Sequence, residues 1–99
     1  MSRPGLFTFR LYLAGDTPNS LQAKTNLAAL CRAHLPGRYK IEIVDVLRTP
    51  ARALADGIFM TPCLMKLEPS PVRMIVGTLI RSVSLLEALG LAPDIVPTG

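Results

Sequence analysis

Apolar and polar side chains alternate at the start of the chain. From residue 6 to residue 13, every second position is a large apolar side chain, and Thr8 and Arg10 lie between them. A period of two is typical of a β-strand with one face on the core. The core side of this strand is predicted to carry Phe7, Phe9, Leu11 and Leu13.

The spacing then changes to that of a helix. Thr17-Pro18 is a helix start, with threonine at the N-cap and proline at the first helical position. The helix is predicted to run to His34, before Pro36-Gly37. Its apolar face carries Leu27, Leu30, Cys31 and Leu35.

A second strand is predicted for residues 39–46, with Ile41, Ile43 and Val46 on the core. A strand, a helix and a strand of this spacing form a βαβ unit, whose two strands are parallel.

The second half of the chain has shorter elements. Thr49-Pro50 begins a short helix that Gly57 closes, and residues 58–67 are apolar but interrupted by Thr61-Pro62. The proline-rich turn at 68–71 joins that segment to a strand at 72–76, which predicts a hairpin. Ser82 or Ser84 begins a last helix that places Val83, Leu86 and Leu89 on one face and ends at Gly90.

The predicted order is therefore β-α-β-α-β-β-α, and the fold class is α/β. The simplest packing is a four-stranded mixed sheet with helices on both faces, which is the thioredoxin-like arrangement. We expect a single domain over residues 1–91 and a flexible C-terminal tail over 92–99. In this fold the proline that leads into the hairpin follows a cis peptide bond, so we expect a cis bond at Thr61–Pro62.

Composition narrows the possible functions. Apolar residues make up 49% of the 99 residues and charged residues 18%, as in a globular domain. The formal net charge is +4, but the basic residues are spread along the chain without aromatic neighbours, which argues against a nucleic-acid partner. No apolar run approaches the length of a membrane span. With no export signal recognised and only two cysteines, a cytoplasmic location is expected.

Catalytic chemistry is not indicated. A redox enzyme of this architecture needs a thiolate at the start of the first helix, whereas residues 16–20 contain no cysteine. Cys31 is predicted to be a core residue, and we expect no disulfide between Cys31 and Cys63. The single histidine, His34, has no metal-ligating neighbours, and Gly15 is interpreted as a tight turn. We therefore expect no catalytic residue, metal or cofactor.

Four segments resemble the KaiB family of small clock proteins. They are Leu11-Tyr12-Leu13-Ala14-Gly15-Asp16-Thr17-Pro18-Asn19-Ser20, Ile43-Val44-Asp45-Val46, Ile58-Phe59-Met60-Thr61-Pro62, and the proline run Lys66-Leu67-Glu68-Pro69-Ser70-Pro71-Val72-Arg73-Met74-Ile75-Val76-Gly77. The similarity spans about residues 7 to 91, and the first and last of these motifs are specific.

The resemblance implies a non-enzymatic, fold-switching regulator that docks on the hexameric ATPase KaiC. It also implies competition with the SasA kinase, and a homodimer or homotetramer. Family members adopt the thioredoxin-like fold or an alternative ground-state fold, β-α-β-β-α-α-β, and only the former binds KaiC. The expected role is to modulate the phosphorylation or signalling cycle of a KaiC-like ATPase, in a circadian or a stress-related setting.

The resemblance also assigns residues. Lys66 and Arg73, with Arg52, are expected to contact the partner, and Lys66 and Arg73 are expected to be exposed. Structural roles fall to the turn and hairpin residues Gly15, Pro18, Pro62, Pro69, Pro71 and Gly77.

This chain departs from the family in places. The family's paired arginines are here Arg73-Met74, and the Gly-x-Asp near the C-terminus is Ala88-Leu89-Gly90. These changes bear on binding of the clock protein KaiA. Because residues 82–90 favour a helix, we expect this chain to rest in the thioredoxin-like form more readily than clock members do.

Two other functions remain as alternatives. One is a thioredoxin-like oxidoreductase, and the other is a detached sensor domain of a SasA-like histidine kinase.

Overall fold

A computed structural model describes residues 5–80 and 82–91, and it has the predicted element order. The predicted domain limits and the tail at 92–99 lie wholly or partly outside these residues. The elements are β1 (Phe7–Leu13), α1 (Pro18–His34), β2 (Tyr39–Asp45), α2 (Pro50–Ala55), β3 (Cys63–Glu68), β4 (Arg73–Val76) and α3 (Val83–Ala88).

The four strands form one mixed sheet in the order β2-β1-β3-β4. Strands β1 and β2 are parallel, and Leu13 is in register with Asp45. Strand β3 runs antiparallel to β1 on its other side and pairs with β4 as a hairpin. The thioredoxin-like arrangement is confirmed.

The alternation in β1 divides the core between the two faces of the sheet. Helices α1 and α3 cover the face that carries Phe9 and Leu11, both fully buried. Tyr12 points the other way and packs with Ala53 of α2 and with Cys63. The helices therefore lie on both faces, as the sequence predicts.

Helix α3 is short but has strong signals at both ends. The Ser82 side chain accepts a hydrogen bond from the Leu85 amide at 3.0 Å, which caps the first turn. At the other end, the Leu91 amide donates to the Leu86 carbonyl at 2.7 Å and the Gly90 amide donates to the Glu87 carbonyl at 3.0 Å. These bonds form a Schellman motif, with Gly90 in the left-handed region at φ 76°. The predicted helix over 83–88 is confirmed.

Two core predictions are wrong. Ile43 is exposed and Val44 is buried, because this end of the edge strand β2 packs against α2 rather than against α1. In α3 the buried residues are Leu85 and Leu86, and Val83 in the first turn is exposed.

Candidate functional site: an apolar rim at one end of the sheet

Four loops meet at one end of the sheet. The carboxyl ends of β1 and β2 lie together because these strands are parallel and in register. The start of β3 lies there as well, since Cys63 is opposite Tyr12, and so does the end of β4, since Val76 is opposite Cys63. At the usual spacing of strands, this end is about 14 Å wide.

Large apolar side chains are exposed along that end. Phe59 and Met60 lie in the loop before β3, and 83% of Phe59 is accessible to solvent. We call this surface the apolar rim, and it consists of Leu47, Phe59, Met60, Val76 and Ile80. Exposed apolar side chains grouped in this way mark interaction surfaces.

The turn after β1 is held in the middle of the rim. Gly15 adopts φ 59°, a left-handed conformation that residues with a side chain rarely adopt. Its amide donates to Asp45 Oδ1 at 3.1 Å, and the same oxygen accepts the Leu47 amide at 3.0 Å. One carboxylate thus fixes the ends of β1 and β2 against each other.

Hydroxyl groups occupy the start of α1, where redox members of this fold carry a thiol. Pro18 is the first residue of the helix. Ser20 is buried, and its Oγ accepts a hydrogen bond from the Ala14 amide at 3.0 Å and another from Thr17 Oγ1 at 2.8 Å. These bonds tie the turn to the helix.

The two cysteines lie elsewhere and are not activated. Both are free and buried. Burial raises the pKa of Cys31 to about 11 and also raises the pKa of Cys63. A nucleophilic thiol needs an accessible thiolate with a lowered pKa, so both environments oppose redox chemistry.

The loops around β3 and β4 are joined to each other and to α1. The Thr61–Pro62 peptide bond is cis, as predicted, and so are the bonds that precede Pro69 and Pro71. The Pro62 carbonyl accepts the Gly77 amide at 2.9 Å. Asn26 of α1 donates through Nδ2 to the Thr78 carbonyl at 2.7 Å, which holds the loop after β4 beside the helix.

Lys66 is buried, with only 3% of its surface accessible, so the prediction that it is exposed is wrong. It lies opposite Phe9 and two residues after Leu64, so its side chain points into the face covered by α1 and α3. Its Nζ lies 5.9 Å from the centre of the Phe7 ring. Burial, and then the charge of Arg73, lower the pKa of Lys66.

Arg73 is exposed at the start of β4, as predicted, directly across from Lys66. It lies three residues before Val76, about 10 Å along the strand from the apolar rim.

Arg52 belongs to a different surface, on the face of the sheet that α2 covers. Its Nη2 lies 3.0 Å from Glu42 Oε2, and its Nε lies 3.7 Å from Asp56 Oδ2. Arg10 approaches the same two carboxylates, at 2.7 Å and 3.8 Å. We call Arg10, Glu42, Arg52 and Asp56 the arginine–carboxylate cluster.

The structure thus does not bring the three predicted basic contacts together. Arg73 is at the free edge of the sheet, Lys66 is inside, and Arg52 is engaged by two carboxylates. The rim is not among the sites predicted from the sequence. The signal for it there is the apolar pair Phe59-Met60 between two turn signals, Gly57 and Thr61-Pro62.

Other kinds of site find no support among residues 5–80 and 82–91. No group of three or more histidine, cysteine, aspartate or glutamate side chains there is arranged to hold a metal ion. In the same part of the chain, none of the helices has both the length and the apolar character needed to cross a membrane.

Together these features define a thioredoxin-like domain with no thiol at the start of its first helix. The structure of a chloroplastic thioredoxin z has the same fold, with a TM-score of 0.70, 17% identity, and coverage of 88% of this chain and 78% of that one. The N-terminal domain of SasA from Synechococcus elongatus also has it, with a TM-score of 0.68 and 13% identity over 91% of this chain and 82% of that one.

The chain belongs to the KaiB family. The family model for the KaiB domain matches residues 10–91. A circadian clock oscillator protein KaiB of Prochlorococcus marinus is 42% identical over 80% of this chain and 68% of the relative. Another, from Parasynechococcus marenigrum, is 38% identical over 95% of this chain and 90% of the relative.

Proposed function

We propose that this chain is a non-enzymatic regulator that docks on a KaiC-like hexameric ATPase. The observation that carries the proposal is the apolar rim, where Phe59 and Met60 are exposed in the loop before β3. Membership of the KaiB family, whose relatives are named circadian clock proteins, supports a role as a clock-type regulator. The KaiC-like partner is what the resemblance to the family implies. The two free, buried thiols agree with a reducing cytoplasm as the place of action.

The rim has the properties of a protein-binding site. Aromatic side chains and methionine are enriched in the buried centre of interfaces, and a few such residues carry most of the binding energy. The loop that holds Phe59 and Met60 is fixed at both ends by backbone hydrogen bonds, because the Ile58 amide donates to the Ala53 carbonyl and the Pro62 carbonyl accepts from the Gly77 amide. This lowers the entropy cost of docking.

The basic residues have separate roles in this proposal. Arg73 is exposed about 10 Å along β4 from the rim, on the face opposite to Val72, and contacts acidic groups of a partner that extends past the rim. Arg52 acts as a positioning residue, because Glu42 and Asp56 already engage its guanidinium group and hold α2 on the sheet. Lys66 makes no contact with the partner in this form, since it is buried.

Binding to the purified KaiC-like ATPase of the same organism tests the proposal. Phe59→Ala is expected to weaken the affinity about tenfold or more. Val72→Ala is the control, because Val72 is also exposed and apolar but lies at the other end of β4. Equal effects of the two substitutions, or no binding by the wild-type chain, contradict the proposal.

Arg73 is tested against a second exposed cation, Lys24 of α1. Arg73→Ala should weaken binding and reduce its dependence on salt, whereas Lys24→Ala should do neither. If affinity stays within about twofold after Arg73→Ala, Arg73 is not a contact.

A further inference from the structure

Strand β4 ends the sheet with a free edge. It pairs with β3 on one side and has no neighbouring strand on the other among the residues that the structure describes. Because the Gly77 amide bonds to the Pro62 carbonyl, the alternation of an antiparallel ladder directs the backbone of Ile75 toward β3 as well. The N–H and C=O groups of Met74 and Val76 therefore point outward, where an added strand can pair with them.

This edge lacks the protection that edge strands usually have. Natural sheets place charged side chains, bulges or prolines along an exposed edge to prevent pairing. The other edge strand, β2, carries Lys40 and Glu42 in its middle. In β4, Arg73 stands at the start and the other three residues are apolar, and Met74 and Val76 are about half exposed.

A groove lies beside this edge, on the face of the sheet that α3 covers. The end of β4 and the loop after it form one wall, and α3 forms the other. Ile75 faces the groove, because it lies opposite Leu64, whose side chain belongs to that face. The groove has a volume of about 380 Å³, within the range of ligand pockets. Its walls are mostly apolar and include Ile75, Leu79, Ile80, Ser84, Leu85 and Ala88.

Two cations lie on the same face of the sheet, further along β4. Arg73 is directly opposite Lys66, so both side chains are on the α3 face. Like charges in opposite positions repel each other. Within residues 5–80 and 82–91, Arg73 makes no ion pair. A carboxylate beside Arg73, about 7 Å along the strand from Ile75, would offset this repulsion.

We propose that β4 binds an extended segment of another protein, which adds antiparallel to β4 as a fifth strand, with an apolar side chain in the groove and an acidic side chain beside Arg73. The partner residue opposite Ile75 directs its side chain into the groove, and the residue two positions later lies opposite Arg73. The partner residues opposite Met74 and Val76 exchange backbone hydrogen bonds with them. In strand addition, main-chain bonds give affinity and alternate side chains give specificity. The inference does not depend on binding to an ATPase.

A synthetic peptide tests the proposal. The probe is Thr-Val-Leu-Val-Glu-Thr, amidated and labelled with tetramethylrhodamine at its amino end, so that leucine can enter the groove while glutamate reaches Arg73. Its fluorescence anisotropy should rise saturably with the concentration of the full chain. The reversed peptide, Thr-Glu-Val-Leu-Val-Thr, has the same composition but places glutamate at the other end of β4, and it should bind about tenfold more weakly or less. No saturable binding, or equal binding of the two peptides, overturns the proposal.

Methylation of the peptide backbone tests the strand pairing without any change to the protein. N-methylation of the second valine removes the N–H that donates to the Met74 carbonyl, and it should weaken binding about fivefold. N-methylation of the leucine, opposite Ile75, alters an N–H that points away from β4 and should have little effect. Equal effects of the two modifications would rule out strand addition in this register.

Variants of the chain locate the site. Ala88→Phe fills the groove from an exposed position and should weaken peptide binding about tenfold, whereas Val83→Phe, on the same helix but outside the groove, should not. Arg73→Ala should weaken binding of the glutamate peptide but not of the same peptide with glutamine in place of glutamate. Unchanged binding by Ala88→Phe, or an equal loss for both peptides with Arg73→Ala, contradicts the proposal. The assay contains no ATPase, so its outcome is separate from that of the proposed docking.

Discussion

Tyr12 connects the sheet to the arginine–carboxylate cluster, and its hydroxyl is the point at which the cluster can be perturbed most cleanly. The side chain is fully buried under α2. Its hydroxyl donates a hydrogen bond to Asp56 Oδ2 at 2.7 Å and lies 3.4 Å from Arg10 Nη1. Tyr12→Phe removes this hydroxyl and keeps the ring.

The expected loss of stability follows from these contacts. A hydrogen bond to a charged acceptor contributes about 1.5–3 kcal/mol. The Asp56 carboxylate is partly exposed and keeps Arg10 and Arg52 within 4 Å, so it is not left without partners. We therefore expect the lower end, about 1.5 kcal/mol, which is roughly a tenfold change in the folding equilibrium.

The effect should depend on pH in a defined direction. Burial, and then the hydrogen bond to Asp56, raise the pKa of Tyr12 above its ordinary value. A raised pKa in the folded state gives stability that is complete below about pH 10 and is lost as pH rises through the folded pKa. The wild type should therefore lose more stability above pH 10 than Tyr12→Phe. The difference between their free energies of unfolding should become smaller as the pH rises.

Urea unfolding at neutral pH and above pH 10 measures both effects. Tyr39→Phe is the matched control, because this half-buried tyrosine makes no hydrogen bond through its hydroxyl to any described residue. It should change the free energy of unfolding by less than about 0.5 kcal/mol. A loss of that small size for Tyr12→Phe, or equal alkaline losses in the wild type and Tyr12→Phe, would refute the reasoning.

Three further predictions concern Lys66, Gly90 and the two cysteines. Lys66→Met should leave the free energy of unfolding unchanged or raise it by up to about 1 kcal/mol in urea, because the ammonium is desolvated and lies across from Arg73. A loss of stability in this variant would contradict this account. Gly90→Ala should cost about 1 kcal/mol through its left-handed conformation alone, since a Cβ there would lie 3.8 Å from Lys66 Nζ, an ordinary contact; a loss well above about 2 kcal/mol in urea would indicate a clash. Cys31 and Cys63 should resist a chromogenic thiol reagent at neutral pH until denaturant is added, and rapid labelling of the native chain would show that they are accessible.

The sequence predicted the elements that have local signals. The alternation in β1, the Thr17-Pro18 start of α1 and the serine–glycine limits of α3 are properties of a few neighbouring residues, and the structure confirms them. Ile43 is exposed because the end of β2 that contains it packs against α2 through Val44. Which face of an edge strand is buried depends on which helix reaches it. Periodicity within one strand contains no information about that.

The candidate site was predicted less well for a similar reason. Lys66 was assigned to the surface from its family position and charge, whereas strand parity with Leu64 places it inside. The rim is assembled from the loops after β2, before β3 and after β4, which are far apart in the chain, so only the completed sheet shows that Phe59 and Ile80 share one end.

If this chain has access to the alternative fold that the resemblance implies, the C-terminal segment bears on which of the two folds it prefers. In the structure, the Ser82 cap, the buried Leu85 and Leu86, and the Schellman motif at Gly90 all stabilise a helix at the same place. When local signals and tertiary burial agree, competing arrangements become less favourable. A fold that uses 83–88 as a strand must give up the cap, worth about 1 kcal/mol, together with the burial of both leucines. We therefore still predict that this chain prefers the thioredoxin-like form more than clock members do, in which the resemblance implies aspartate at the position of Gly90. The physical source of this preference is the helix end that Gly90 closes.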